Sequence, residues 1–238
     1  MSINLLAAKA TQPDSDGDAR FEVSLSYKNE SVQTIELLHT RMLVTAPDGT
    51  PLGEAEEDIE ELIPHGETGR ISISSYRIPY PHSDVTQACL TVTIVPMACT
   101  FLDLGRLKIS DHPGGISTCS DEQFSEGLAV KRWSCHRRRD DRDGDVTVEA
   151  SAWLENNTGH TIHRAVMKLQ IYNYSGRPLN DTESRDDRLI FSGIPAIIND
   201  SLYCKTSQLK NAYISATIRG FTPLEATSIQ VNELQLDR

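Results

Sequence analysis

The chain of 238 residues is 38% hydrophobic and 24% charged, which is enough apolar content for a folded core and too much for a disordered polymer. Its formal net charge of −11 argues against a general binder of nucleic acids or anionic membranes. No apolar run approaches the roughly 20 residues of a membrane span, and residues 1–9 lack the basic and apolar regions of an export signal. We therefore expect a cytoplasmic protein.

The predicted elements in the first half of the chain are mostly strands. Residues 21–27 alternate apolar and polar side chains, which is typical of a strand with one buried face. Residues 40–45 form a second strand that runs into an Asp-Gly turn, and residues 70–74 and 88–94 are further alternating or β-branched runs. The acid-rich residues 54–62 are the only segment whose pattern favours a helix.

The second half of the chain shows the same strand pattern. Residues 146–154, 168–172 and 213–218 alternate or are rich in β-branched residues, and a turn ending in Gly176 follows the second of these runs. Strands at this spacing, separated by Gly, Asp and Pro turns, indicate an antiparallel β-sandwich. The sequence thus predicts an all-β protein with two sandwiches in series.

The two halves align without a gap at an offset of 127 residues. The matched pairs include Asp14 with Asp141, Gly17 with Gly144, Asn29 with Asn156, Ile35 with Ile162, Gly49 with Gly176, Gly66 with Gly193 and Leu107 with Leu234. So many matches in one register indicate a tandem duplication. We expect a first domain at residues 1–110, a surface linker at 111–127 and a second domain at 128–238.

Each half resembles the small immunoglobulin-like domains of bacteria typified by the FxLYD group. The resemblance rests on an Asp-Gly turn that leads into a strand ending in Asn-x-Ser/Thr, at Asn29-Glu-Ser31 and Asn156-Asn-Thr158, and on the turn Leu62-Ile-Pro-His-Gly-Glu67. The Tyr-Asp pair of the family's name is absent from both halves. The resemblance implies tandem immunoglobulin-like domains that act as binding or structural modules, with no catalytic residues to carry over.

Metal and disulfide chemistry have little support in the sequence. Five scattered cysteines favour free thiols over a disulfide framework or a zinc site. Two Asp-rich turns resemble fragments of calcium loops, at Asp14, Asp16, Asp18, Asp141, Asp143 and Asp145. Position 12 of an EF-hand loop requires Glu, and Leu25 and Ala152 stand there instead, so we favour ordinary hairpin turns over calcium sites. No cofactor and no enzymatic activity are predicted, because no nucleophile, phosphate-loop or zinc-protease motif is present.

Charge is distributed unevenly along the chain. Residues 1–110 hold 8 Lys and Arg against 16 Asp and Glu, residues 111–127 hold four acids and no Lys or Arg, and residues 128–238 hold 15 bases against 14 acids. The candidate partner-binding acids are Glu54, Glu56, Glu57, Asp58, Glu60 and Glu61, and the candidate bases are Arg132, Arg137, Arg138 and Arg139. Two other interpretations compete with a recognition surface: charges that protect a sheet edge from unwanted pairing, and an internal contact between the basic strand and acids.

The leading functional hypothesis is a non-enzymatic binding protein, such as an adaptor, an assembly chaperone or an immunity protein that neutralises a toxin. It would bind a protein partner, such as a basic one, through sheet edges or through the acidic surface of the first domain. One alternative is a structural subunit that self-assembles through its sheet edges into an appendage or a phage-like particle. Another is a binding module stabilised by calcium at the Asp-rich turns.

Overall fold

A computed structural model of the chain describes residues 2–75, 77–81, 84–125, 127–183 and 188–237. Strands dominate these residues, and their only helices are two short 3-10 turns, Val85–Gln87 and Thr206–Gln208. The prediction of an all-β fold built from antiparallel sheets is confirmed. Within the described ranges, no helix is long and apolar enough to cross a membrane.

The strands of the first half are β1 (Ser2–Thr11), β2 (Asp18–Ala19), β3 (Phe21–Lys28), β4 (Ile35–Thr45), β5 (Pro51–Ile63), β6 (Thr68–Ser74), β7 (Ile78–Pro79) and β8 (Cys89–Lys108). The remaining strands are β9 (Ile116–Cys119), β10 (Gln123–Ser125), β11 (Leu128–Arg137), β12 (Asp145–Asn156), β13 (Ile162–Tyr172), β14 (Pro178–Glu183), β15 (Arg188–Ile190), β16 (Ala196–Lys205), β17 (Tyr213–Pro223), β18 (Thr227–Val231) and β19 (Gln235–Asp237).

The chain forms two compact units, of which unit 1 comprises Met1–Ala98 and Pro223–Arg238. One sheet of unit 1 has the order β19-β1-β3-β6, in which β19 runs parallel to β1. In the other sheet, β4 lies between β5 and the first half of β8, and β18 pairs with the opposite side of β8. The core lies between these sheets, and the alternate residues of β3 that were predicted to be buried all contribute to it: Phe21, Val23, Leu25 and Tyr27.

Unit 2 comprises Cys99–Thr222 and repeats the two-sheet arrangement. One sheet runs from β11 through β12 to β16, and both β9 and β10 pair with the outer side of β11. In the other sheet, β13 lies between β14 and β17, and the second half of β8 follows β17. The core of unit 2 is built around Trp133, which is 1% exposed, and small residues of β12 such as Ala150 and Ala152.

The composition of the units differs from the predicted domains 1–110 and 128–238. The end of each half of the sequence lies in the unit formed by the other half. The strand β8 continues past Ala98 and buries Leu102 and Leu104 in the core of unit 2. Conversely, residues after β17 return to unit 1, where Val231 and Leu234 are buried. Local periodicity identifies strands but not their pairing partners, so this exchange leaves no signal in the sequence.

The predicted linker at residues 111–127 is largely part of unit 2. It contains β9 and β10, and β9 pairs with β11 from Cys119 opposite Trp133 to Ile116 opposite His136. The Pro and Gly residues that suggested a surface linker lie in the turn before β9. This segment extends the sheet of unit 2, so it cannot act as a free spacer.

The offset of 127 residues recurs in the hydrogen bonds of the two units. Asn29 Nδ2 donates to the carbonyl oxygens of Gln33 and Ile63, at 2.8 and 2.9 Å. Its Oδ1 accepts hydrogen bonds from the backbone N–H and the hydroxyl of Ser31, at 2.9 and 2.7 Å. In unit 2, Asn156 makes the same four bonds, and their partners are His160, Ile190 and Thr158.

The offset changes near the end of each half. On β4, Met42 pairs with Val92. Its counterpart on β13, Leu169, pairs with Ala216, whereas an offset of 127 would require Arg219. The matching positions of β8 and β17 are therefore 124 residues apart. Strand pairing thus repeats at the 127-residue offset as far as β6 and β16, where Glu22 pairs with Ser74 and Glu149 with Ser201, but not in the following strand.

The buried amides of Asn29 and Asn156 give the first testable prediction. Both residues are 0% exposed. Alanine at either position removes the hydrogen-bond partner of two carbonyl oxygens and of the Ser or Thr hydroxyl and N–H. Asn29→Ala and Asn156→Ala should each lower the free energy of unfolding by about 3 kcal/mol in urea titrations. Exposed Asn157 provides the control, since Asn157→Ala should change stability by less than about 0.5 kcal/mol.

The exchanged strands give a second prediction, made on a pair of residues 127 positions apart. Leu104→Ala should cost about 2–4 kcal/mol and reduce amide protection in unit 2, because Leu104 lies in the core that contains Trp133. Val231→Ala should cost about 2 kcal/mol and reduce protection in unit 1, because Val231 lies in the core that contains Phe21. Hydrogen exchange of peptides from each unit measures both effects. The opposite assignment would show that the sequential halves fold as the domains.

Candidate functional site

The acid-rich segment forms part of strand β5, and the predicted helix over residues 54–62 is wrong. Ala55, Ile59 and Ile63 are four residues apart, a spacing that suits one face of a helix and equally suits one face of a strand. Their inner face packs against the core of unit 1, with Ala55 and Ile59 partly buried and Ile63 fully buried. Pairing along the whole length of β4 therefore overrides the helix propensity of the glutamates.

Strand β5 is the edge strand of its sheet. Among the described residues, β4 is the only strand that pairs with it, so one side of its backbone faces away from the sheet. The candidate acids follow one another along this edge, and Glu54, Glu56, Glu57, Asp58 and Glu60 are exposed while Glu61 is half-buried. The structure thus brings all six acids of the first-half prediction together on one strand.

Two basic side chains of β4 partly balance these acids. The Arg41 guanidinium forms a close ion pair with Glu54, and its Nε lies 3.5 Å from a carboxylate oxygen of Glu56. The hydrogen bond to Glu54 and the charge of that carboxylate raise the pKa of Arg41 above its ordinary value. His39 Nδ1 lies 2.8 Å from Asp58 Oδ1. In the described ion pairs, one arginine and one histidine contact three of the six carboxylates, so the acids outnumber these bases along the edge.

The candidate bases, in contrast, do not form one exposed surface. Arg137 is 5% exposed, and it donates to the Asp111 carbonyl at 2.7 Å and to Asp140 Oδ1 at 3.0 Å, so it belongs to the framework of unit 2. Arg138 pairs with Glu149 at 2.8 Å. The Arg132 guanidinium stacks 4.0 Å from the centre of the Trp153 ring, and Arg139 is exposed in the following turn. Acids and an aromatic ring of the same unit thus already contact three of the four arginines.

The Asp-rich turns are built by hydrogen bonds between the first aspartate and the backbone. Asp14 Oδ1 accepts from the N–H groups of Asp16 and Asp18, at 2.9 and 3.1 Å. Asp141 accepts in the same way from Asp143 and Asp145, at 3.0 and 2.8 Å. No group of three or more His, Cys, Asp or Glu side chains within the described ranges is placed to hold a metal ion. In each turn, one carboxylate oxygen therefore accepts the backbone hydrogen bonds that stabilise the hairpin.

Asp14 gives a prediction about pH. Backbone hydrogen bonds from Asp18 and Asp16 lower the pKa of this carboxyl below its ordinary value of 3.8. Its stabilising effect is therefore complete above that ordinary value and disappears as the pH falls through the lowered pKa. Asn accepts the same bonds without titrating, so the stability advantage of the wild type over Asp14→Asn should be greatest near neutral pH and vanish at about pH 2. Urea titrations across this range measure the difference.

Asp16→Asn is the control for this prediction, because it removes the same charge from the same turn while the Asp14 carboxylate remains in place. An advantage of the wild type that does not change with pH would contradict the proposed role of the Asp14 carboxylate. Observation of the Asp14 carboxyl carbon by NMR gives its pKa directly.

All five cysteines are free thiols. Burial raises the pKa of Cys135 and of Cys204 to about 11. These two side chains remain protonated at neutral pH and pack as small apolar groups in unit 2.

A polar groove on unit 2 was not predicted from the sequence. It has a volume of about 280 Å³ and lies on the outer face of β8, β13 and β17. Its lining residues are Asp103, Gly105, Arg106, Lys168, Gln170, Tyr172, Ser215 and Thr217. The alternation of residues along β13 predicts that Lys168, Gln170 and Tyr172 share one face. The groove itself could not be predicted, because its three strands come from distant parts of the sequence and their pairing is not visible there. We call this feature the unit 2 groove.

Comparisons with known proteins provide no family for this chain. No protein-family profile matches it, and no curated protein does. Among solved structures, red sea bream transglutaminase is 12% identical with a TM-score of 0.24, and the match covers the whole chain but 32% of the enzyme. The infectious bursal disease virus VP2 subviral particle is 10% identical with a TM-score of 0.30, covering 96% of the chain and 69% of VP2. Likenesses this weak carry no argument about function.

Proposed function

We propose that this chain is a non-enzymatic binding protein that recruits a basic protein partner to the open edge of strand β5. The observation that carries the proposal is the coincidence of two features on one strand, an unpaired backbone edge and six carboxylates. We also propose that the protein is cytoplasmic and that its two halves arose by tandem duplication. The hydrogen bonds that recur 127 residues apart support the duplication.

An open strand edge offers its partner a row of backbone donors and acceptors. An extended peptide that pairs with it gains main-chain hydrogen bonds, and alternate side chains of the peptide then face the side chains of β5. Lysine or arginine at alternate positions would meet the exposed Glu54, Glu56 and Asp58. Complementary charge raises the association rate and selects basic strands over acidic ones.

The acids also protect the edge in the absence of a partner. Charged residues on an edge strand repel a second copy of the same edge, because like charges would lie opposite each other. The pairing of two β5 strands would bring twelve carboxylates together, whereas a basic strand neutralises them. The same residues therefore oppose self-association and favour a heterologous partner, which makes assembly of copies through this edge the less favourable alternative.

The first experiment is purification of the tagged protein from its native cells at low and at moderate salt. We expect a stoichiometric basic partner that dissociates as the salt concentration rises, since screening weakens contacts between exposed charges. The variant E54Q/E56Q/E57Q/E60Q should lose most of this partner while it retains the wild-type melting temperature. The control E67Q/E122Q/E225Q/E233Q removes the same total charge from other exposed positions and should retain the partner.

Hydrogen exchange of the complex then distinguishes docking modes. If the partner adds a strand, the amides of β5 that face away from β4 become protected on binding. A partner that leaves these amides unprotected would contact the carboxylates alone. Equal retention of the partner by the two quadruple variants would contradict the proposal.

A further inference from the structure

The unit 2 groove is lined by two cations, Arg106 and Lys168. No ion pair within 4 Å involves either of them among the side chains that the structure describes. The counterpart of Lys168 in unit 1 is Arg41, which pairs with Glu54 and Glu56. Lys168 likewise lies opposite an acid of the neighbouring strand, because β14 places Glu183 across from it.

Asp103 is the one carboxylate among the lining residues that the structure describes, and the backbone partly occupies it. Its Oδ1 accepts a hydrogen bond from the Gly105 N–H at 2.8 Å, at the point within β8 where Gly105 has a positive φ. The described lining residues therefore carry two cations and one such carboxylate, and on β14 two further acids, Asp181 and Glu183, lie opposite Gln170 and Lys168. A negative group of a ligand must therefore contact Arg106 and Lys168 directly in order to be favoured.

The Arg106 side chain is held in place by an aromatic ring. Its guanidinium carbon lies 4.4 Å from the centre of the Tyr172 ring, a cation–π distance. The Tyr172 hydroxyl donates a hydrogen bond to Gln170 Oε1 at 2.5 Å, which fixes the ring on the strand. A guanidinium held in this way can still bind a carboxylate or a phosphate through two parallel N–H hydrogen bonds.

The remaining lining groups suit the hydroxyls of a sugar. Ser215 and Thr217 on β17 provide hydroxyls that donate or accept, Gln170 provides an amide N–H₂, and Asp103 provides its second carboxylate oxygen. A volume of about 280 Å³ is at the lower end for ligand sites and matches a small polar molecule rather than a peptide.

We propose that the unit 2 groove binds an anionic monosaccharide, with its carboxylate or phosphate on Arg106 and Lys168 and its hydroxyls on Gln170, Ser215 and Thr217. The oxyanion is the shared chemistry of sugar acids and sugar phosphates, and either can be free or form the end of a larger glycan. This site lies on unit 2, so it is independent of the edge strand proposed to bind a protein.

The experiment is an NMR titration of the ¹⁵N-labelled full chain with glucuronate, glucose 6-phosphate, inorganic phosphate and neutral glucose. We expect saturable shifts of the Tyr172, Ser215 and Thr217 amides with one of the two sugar anions, at a dissociation constant of about 1 mM or below. Inorganic phosphate and glucose should each bind at least about tenfold more weakly, because each has only one half of the recognised chemistry. Binding at the same site by a glycan that ends in the same sugar acid would identify the larger source.

The variants separate recognition from nonspecific charge attraction. Arg106→Gln and Lys168→Gln should each weaken binding at least about tenfold, and Arg106→Lys should weaken it several-fold because lysine cannot form the paired hydrogen bonds. Arg138→Gln removes the same charge from unit 2 outside the groove and should bind as the wild type does. Thermal unfolding of each variant confirms that it is folded. Absence of shifts with both sugar anions, or equal weakening by Arg138→Gln, would overturn the proposal.

Discussion

The buried amide of Asn29 is the constraint on which the architecture of unit 1 depends. It lies just after β3 in one sheet and bonds to the carbonyl of Ile63, the last residue of β5 in the other sheet. An amide can remain inside a protein only when its two donors and its acceptor are satisfied, and here all of them are. One side chain therefore fixes the separation of the two sheets and the position at which the acidic edge strand ends. Asn156 provides the same connection in unit 2.

Turns and strands could be predicted from the sequence because their chemistry is local. The Asp-Gly turns, the alternation of β3 and the Asn-x-Ser/Thr motif each extend over few residues and all occur where they were expected. The helix over residues 54–62 was wrong because a spacing of four residues fits both a helix and a strand, and only pairing with β4 decides between them. Pairing also decides which unit contains residues 99–108, and nothing local to that segment records it.

The candidate sites show the same limit for charge. The run of acids on β5 remains a surface, because five of its six side chains are exposed. A run of bases is instead divided among partners that the sequence does not reveal: Arg137 turns inward to Asp140, and Arg132 stacks on Trp153. The unit 2 groove reverses this case, since its cations are 62 positions apart in sequence, at Arg106 and Lys168, and meet only in the folded sheet. A run of like charges in the sequence is thus weak evidence that these charges form one surface in the folded protein.

The exchange of last strands sets an order for folding during synthesis. Val231 pairs with Leu90 across more than half of the chain, so the core of unit 1 stays incomplete until the final strands have left the ribosome. Such distant pairings slow folding, because a long loop must close before its contacts compensate for the lost entropy. Unit 2 is a continuous segment and can be completed earlier. Until then the first half of β8 has an unpaired side, and an unpaired strand edge in a partly folded chain is open to incorrect pairing.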